Sequence, residues 1–132
     1  RDAEKHHLAV DKNIIVVRYE GRLIFANAAF FEETIVQTIK DHPRARAILV
    51  NASGINEIDA SGVEKLRWIV ETCREKGILL AFAELKWKPT EVLQENGLLD
   101  EIGKDNFFRD TADGYDTLRK LSLVPGLGKS PS

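Results

Sequence analysis

AILVNASGINEIDASGVEKLRWIVETCREKGILLAF, residues 47–82, is the stretch that decides the fold. Its two ends, 47–50 and 78–82, are continuous apolar runs of strand length, and continuous hydrophobicity predicts strands that are buried on both faces of a sheet. The segment between them has apolar residues every three or four positions, which predicts an amphipathic helix over about 62–76 that ends at Gly77. A short strand, helix, strand sequence of this kind predicts two parallel neighbouring strands.

The rest of the chain continues this alternation of strand and helix. Ile14 to Val17 is a third apolar run, and apolar residues repeat with helical spacing from Asn27 to Asp41, before Pro43. The remaining predicted elements are a helix from Pro89-Thr90 that breaks at Asn96-Gly97, a short helix at 98–102, a strand at Phe107-Phe108 and a last helix capped by Asp110. We therefore expect an α/β fold: a single small domain with a mostly parallel central β-sheet of about four to five strands and about four to five helices.

Length, composition and charge fit one soluble domain. The chain has 132 residues, of which 43% are hydrophobic and 30% charged, and its formal net charge is -2. This is enough apolar material for one core, and it lacks the basic excess of a nucleic-acid-binding protein. There is no stretch of about 18 apolar residues, so we expect no membrane span. We expect a linker over 1–6, the folded domain over 7–124 and a flexible tail over 125–132.

Several patterns that resemble chemical sites lack the parts that the chemistry needs. Residues 126–130 look like the end of a phosphate-binding loop, but Leu123 stands where its first glycine is required. The three histidines have no partner cysteines or acids at zinc-ligand spacing, so we expect no metal and no cofactor. We expect no catalytic residues either, because only His42 could supply a base to Ser61 from inside the fold. The lone Cys73 is expected to be a buried thiol in a reducing compartment.

The turn before the second helix is the most informative part of the sequence. Asp59-Ala60-Ser61-Gly62 follows a predicted buried strand, and sites in parallel α/β proteins usually lie after such strands. Ser61 and Glu64 have the spacing of a capping box, so the simple interpretation is that Ser61 caps the helix. The alternative is that Ser61 is phosphorylated, and that the added charge next to Asp59 and Glu64 changes partner binding.

This turn resembles the signature of STAS domains (sulfate transporter and anti-sigma factor antagonist). In the bacterial antagonists of that superfamily the serine before the glycine is phosphorylated by a partner kinase, and Ser61 matches it; Ala60 stands where a second hydroxyl residue is common. A second match is Gly21-Arg22-Leu23-Ile24-Phe25-Ala26-Asn27-Ala28, which is similar to the entry to the first helix in SulP-type anion transporters. In that entry Phe25 is expected to be a core anchor and Asn27 an N-cap.

The resemblance implies the cytosolic regulatory and interaction domain of a SulP-type, sulfate-like anion transporter, with no enzymatic activity. Since the chain begins at Arg1 and contains no methionine, we expect it to be a piece of a longer protein. The implied location is the cytoplasmic face of the inner or plasma membrane. The implied partners are the transport domain of the same polypeptide, a cytosolic protein and a nucleotide, with no nucleic acid. The alternative is a free-standing anti-sigma factor antagonist-like protein switched by phosphorylation of Ser61.

Three candidate contact regions follow from these expectations. The turn Asp59, Ala60, Ser61 and Gly62, with Phe25 and Asn27 as a second wall, is the candidate surface for an anion, a nucleotide or a protein partner. Trp68 lies off the apolar stripe of its helix and is a candidate contact residue. Trp87 lies between two lysines in a segment that could face a membrane surface.

Overall fold

The computed structural model describes residues 12–24 and 27–121. Within these residues the chain forms four strands and five helices. The strands are β1 (Ile14–Glu20), β2 (Ala47–Gly54), β3 (Leu79–Ala83) and β4 (Phe107–Phe108). The helices are α1 (Ala28–Asp41), α2 (Ala60–Glu75), α3 (Trp87–Glu95), α4 (Leu98–Ile102) and α5 (Thr111–Leu121), and a short 3-10 turn covers Lys104–Asn106. Within the described residues, no helix combines the length and the apolar character needed to cross a bilayer.

The four strands form one parallel sheet in the order β1-β2-β3-β4. In the middle of the sheet, Val50 of β2 is paired with Val17 of β1 and with Phe82 of β3. Because every strand runs in the same direction, the loops that follow the strands all lie along one edge of the sheet. This carboxyl edge therefore carries the β1–α1, β2–α2, β3–α3 and β4–α5 connections.

Helices cover both faces of the sheet, which explains why the inner strands are apolar at every position. Ile48 and Val50 of β2 belong to the larger core, with apolar residues of α1 to α4, while Leu49 points the other way and joins a smaller core with Leu118 of α5. All three β2 residues have no exposed surface. The prediction from continuous hydrophobicity is confirmed, as is the parallel arrangement of β2 and β3.

Most predicted elements lie within two residues of their expected bounds. The short helix at 98–102 and the strand at Phe107–Phe108 match the prediction. Asp110 caps the last helix as expected, since its Oδ1 accepts a hydrogen bond from the Asp113 amide at 2.7 Å. Cys73 is fully buried, and this burial raises the pKa of its thiol to about 11. The terminal segments 1–6 and 125–132 and the phosphate-loop look-alike lie outside the described residues.

The α2 helix begins against the backbone of Leu23, which is part of the connection from β1 to α1. The Leu23 amide donates to the Glu57 carbonyl at 2.8 Å, and the Leu23 carbonyl accepts from the Asp59 amide at 3.1 Å. These two bonds form a parallel bridge between Leu23 and Ile58, beyond the ends of β1 and β2. Gly62 lies on top of this bridge: a Cβ atom at that position would be 1.8 Å from the Leu23 carbonyl oxygen. The approach therefore requires glycine.

We expect the substitution Gly62→Ala to destabilise the domain by about 3 kcal/mol, because a backbone carbonyl has little freedom to move away from the new methyl group. The improved helix propensity of alanine, about 1 kcal/mol at most, is too small to compensate. The free energy of unfolding would be measured by urea titration.

The matched control is Gly97→Ala. Gly97 has φ 76°, so alanine is strained there, but no atom lies within 4 Å of the position of its Cβ. We expect this control to cost only about 1 kcal/mol. A Gly62→Ala protein as stable as the Gly97→Ala protein would contradict the close packing of α2 on Leu23.

Candidate functional site

The candidate site is the carboxyl edge of the sheet, where the connections between strands and helices meet. The β2–α2 connection contacts the β1–α1 connection through the Leu23 and Ile58 bridge. It contacts the β3–α3 connection through Lys86, whose Nζ donates to the Asn56 Oδ1 at 2.6 Å. The turn that the sequence singled out is therefore held between two neighbouring loops.

Asp59, not Ser61, caps the α2 helix. The Asp59 backbone is extended (φ -109°, ψ -176°), and its Oδ1 accepts a hydrogen bond from the Gly62 amide at 2.9 Å. The first helical bond runs from the Val63 amide to the Asp59 carbonyl at 2.9 Å. The prediction that Ser61 and Glu64 form a capping box was wrong, because an aspartate two residues earlier already satisfies the amide of the third helical residue.

Ser61 therefore lies in the first turn of α2 with its side chain exposed. Its hydroxyl has no hydrogen-bond partner among the described residues. Ala60 before it is exposed too, whereas Gly62 after it is buried against Leu23. Glu64, the other half of the expected capping box, is exposed, and its Oε1 lies 3.8 Å from the Nε of Arg67. The serine hydroxyl is thus accessible and is not needed to start the helix.

The charges next to this turn are mixed. Arg22 and Glu57, on adjacent connections, lie 3.7 Å apart and are each more than half exposed. On the helices behind the turn, Lys65 donates to Glu32 at 2.7 Å and so joins α2 to α1. The Asp59 carboxylate occupies the positive end of the α2 dipole. An anion arriving there would meet a carboxylate, so this end of the helix is poorly suited to bind one.

The second wall predicted from Phe25 and Asn27 is described only in part. Phe25 lies outside the described residues. Asn27 is at the N-cap position of α1, but its side chain makes no capping hydrogen bond, so its predicted capping role was wrong. The backbone explains this, because Asn27 has a helical ψ of -10° rather than the extended conformation of a capping residue.

Sequence reasoning missed Phe30, which is 61% exposed in the first turn of α1. Its ring centroid lies 6.1 Å from that of Tyr19, and Tyr19 in turn packs edge-on against the buried Phe31 at 4.8 Å. The sequence did contain a signal for this exposure, because Phe30 lies off the apolar helical stripe formed by Phe31 and Ile35. Trp68, which was expected to be partly exposed, is 49% exposed.

His42, the only imidazole considered as a base for Ser61, lies at the far end of α1. Its Nδ1 is 3.0 Å from the Thr38 carbonyl oxygen. Because α1 runs back from the carboxyl edge of the sheet to the opposite edge, this imidazole and the Ser61 hydroxyl lie on opposite edges. Within the part of the chain that the structure describes, no three His, Cys, Asp or Glu residues are grouped to hold a metal ion.

Sequence comparisons relate the chain to sulfate transporters. The low affinity sulfate transporter 3 of Stylosanthes hamata is 28% identical in an alignment of 127 residues that covers 87% of this chain and 20% of the transporter. A probable sulfate transporter of Mycobacterium tuberculosis is 28% identical over 108 residues, covering 81% of this chain and 19% of the relative. The chain thus spans about a fifth of the length of the curated relatives it matches.

Solved structures share the fold at lower sequence identity. A sulfate transporter family protein from Wolinella succinogenes has a TM-score of 0.77 at 16% identity, over 88% of this chain and 93% of that one. The murine solute carrier 26 member A9 anion transporter has a TM-score of 0.78 at 16% identity, over 90% of this chain and 20% of that one. The Bacillus cell fate determinant SpoIIAA, in its phosphorylated form, has a TM-score of 0.60 at 17% identity, over 84% of this chain and 96% of that one.

A protein-family model agrees with both comparisons. The model of the STAS domain matches residues 6–114, a range that begins before β1 and ends within α5. It includes the Leu23 bridge, the Asp59 cap and the exposed Ser61. The chain belongs to the STAS domain family.

Proposed function

We propose that this chain is the regulatory and interaction domain of a SulP-type inorganic anion transporter, lies on the cytoplasmic face of the membrane and has no enzymatic activity. The observation that carries the proposal is the match of 87% of this chain to one fifth of a sulfate transporter. A domain that forms so small a part of such a protein leaves the transport pathway to the remaining four fifths. Its own contribution is then to bind and regulate.

The carboxyl edge of the sheet is the surface that we assign to this role. Its exposed features are the Ser61 turn, the Arg22 and Glu57 pair and, at the start of α1, the Phe30 ring. An exposed aromatic ring beside paired charges is typical of protein contact surfaces, where aromatic residues supply contact area and charges set the orientation. The partner that we assign to this surface is the transport domain of the same polypeptide.

The coding sequence upstream of Arg1 tests the transporter assignment directly. We expect it to encode several apolar segments of about 20 residues each, the length that crosses a bilayer as a helix. The measurement is the sequence of the full transcript. An initiation codon a few codons before Arg1, with no apolar segment between, would contradict the assignment and favour a free-standing protein.

A second function, a switch operated by phosphorylation of Ser61, is favoured by one observation. The Ser61 hydroxyl is exposed and takes no part in capping the helix, so a phosphate could be added without breaking a hydrogen bond of the described fold. Asp59 and Glu64 are close in sequence, and their carboxylates would repel the new dianion. Phosphorylation would therefore change the surface that a partner meets more than the stability of the domain.

We expect Ser61→Ala and Ser61→Asp to change the free energy of unfolding by about 0.5 kcal/mol or less, as exposed substitutions usually do. Asp59→Ala should cost about 1 kcal/mol, because it removes the cap. Incubation with ATP and an anti-sigma factor kinase, followed by mass spectrometry, should find phosphate on Ser61.

Ser53 is the internal control for this experiment, because its hydroxyl is partly buried and donates to Asn51 at 2.9 Å. Phosphate on Ser53 but not on Ser61 would contradict the switch. So would a Ser61→Ala protein less stable than the Asp59→Ala protein, since that result would return the capping role to Ser61.

A further inference from the structure

Trp87 is an exposed aromatic residue that the core of the domain does not use. Its side chain is 68% exposed, the largest value among the exposed large apolar side chains of the described residues. It is the first residue of α3, and that helix is anchored to the core from other positions, with Leu93 fully buried and Pro89 buried too. A tryptophan exposed to this extent contributes little to the free energy of folding, and it leaves a large apolar ring in water.

Two lysines flank this ring. Lys86 and Lys88 are both exposed, and the Lys88 Nζ lies 5.8 Å from the centroid of the Trp87 ring. The Lys86 Nζ is hydrogen-bonded to Asn56, a neutral side chain. Neither lysine forms an ion pair with any residue that the structure describes. By contrast, Lys65 is held by a carboxylate on the neighbouring helix.

The acidic residue nearest in the preceding loop does not neutralise this charge. The Glu84 Oε2 accepts hydrogen bonds from the Thr111 amide at 3.1 Å and from the Thr111 hydroxyl at 2.8 Å. Its carboxylate is therefore turned toward the start of α5. The first turn of α3 has no acidic residue. The tip formed by Lys86, Trp87 and Lys88, here called the KWK tip, thus presents an exposed ring between two cations without a paired anion.

We propose that the KWK tip is a membrane-surface contact that binds anionic lipid headgroups. Tryptophan is enriched at the boundary between headgroups and acyl chains, where the ring is buried and its N–H stays hydrated. Lysines on either side place their charges among anionic headgroups while their methylene stems cover apolar surface. The observed arrangement supplies both components on three consecutive residues.

A lipid surface suits this tip better than an acidic protein does. The core of a protein interface needs several neighbouring apolar side chains that are buried together. The other exposed large apolar residues, Phe30, Trp68 and Leu121, belong to α1, α2 and α5, and α3 offers Trp87 alone. The inference does not depend on the role of Ser61 or on the transport domain, because the tip is defined by its own exposure and charge.

Tryptophan fluorescence tests the proposal, because the chain contains only Trp68 and Trp87. The Trp68→Phe protein reports Trp87 alone, and the Trp87→Phe protein reports Trp68 alone as the matched control. Each would be mixed with vesicles of phosphatidylcholine and with vesicles of phosphatidylcholine and phosphatidylglycerol. We expect the emission of Trp87 to shift to shorter wavelength with the anionic vesicles only, and the emission of Trp68 to stay unchanged.

The role of the lysines is tested by measuring how strongly the Trp68→Phe protein partitions onto anionic vesicles. Lys86→Gln and Lys88→Gln should each lower the partition coefficient about fivefold, and added salt should lower it as well. The control is the pair Lys40→Gln and Lys76→Gln, two exposed lysines at the ends of α1 and α2 on the opposite edge, which should leave it unchanged. Urea titration of each variant separates loss of binding from loss of folding.

Three results would overturn the proposal. The first is no shift of Trp87 emission with anionic vesicles. The second is an equal shift with neutral vesicles, which would remove the role of the lysines. The third is a shift with soluble polyglutamate that anionic vesicles do not produce, which would assign the KWK tip to an acidic protein.

Discussion

The Leu23 carbonyl and Gly62 make the contact on which the rest of the domain edge depends. Beyond the ends of β1 and β2, the two connections could separate. Here one more pair of backbone hydrogen bonds joins Leu23 to the residues on either side of Ile58. The start of α2 then lies directly on that bridge, at a distance that excludes any side chain on residue 62. Two connections that would otherwise be independent loops become one packed unit.

This contact also determines which side chains face outward. With Gly62 against Leu23, the helix starts after Asp59, whose carboxylate accepts from the Gly62 amide. Ser61 is then exposed on the outer side of the first turn, and its hydroxyl makes no hydrogen bond to any described residue. A buried glycine, a capping aspartate and an exposed serine therefore follow from a single packing requirement. The exposed hydroxyl leaves Ser61 accessible, as its proposed phosphorylation requires.

The fold could be predicted from the sequence because its strands are apolar without interruption. A helix-covered parallel strand such as Ala47–Val50 has no polar face, and few other structures need four consecutive buried residues. The cap of α2 could not be predicted in the same way. Asp59 and Ser61 are both good capping residues, and the choice between them depends on the contact with Leu23, which is 39 residues before Gly62 in the chain. The exposure of Phe30, by contrast, could have been predicted, because Phe30 lies off the apolar stripe of Phe31 and Ile35.

The measurement that tests this account most directly is native-state hydrogen exchange of the amides around the bridge. If the connections form one packed unit, the amides of Leu23 and Asp59 should exchange only with opening free energies close to that of global unfolding. The amides of Ala60 and Ser61, which precede the first helical hydrogen bond, should exchange quickly. Leu23 and Asp59 amides that exchange as fast as those of Ala60 and Ser61 would show separate, loosely held loops and would contradict the account.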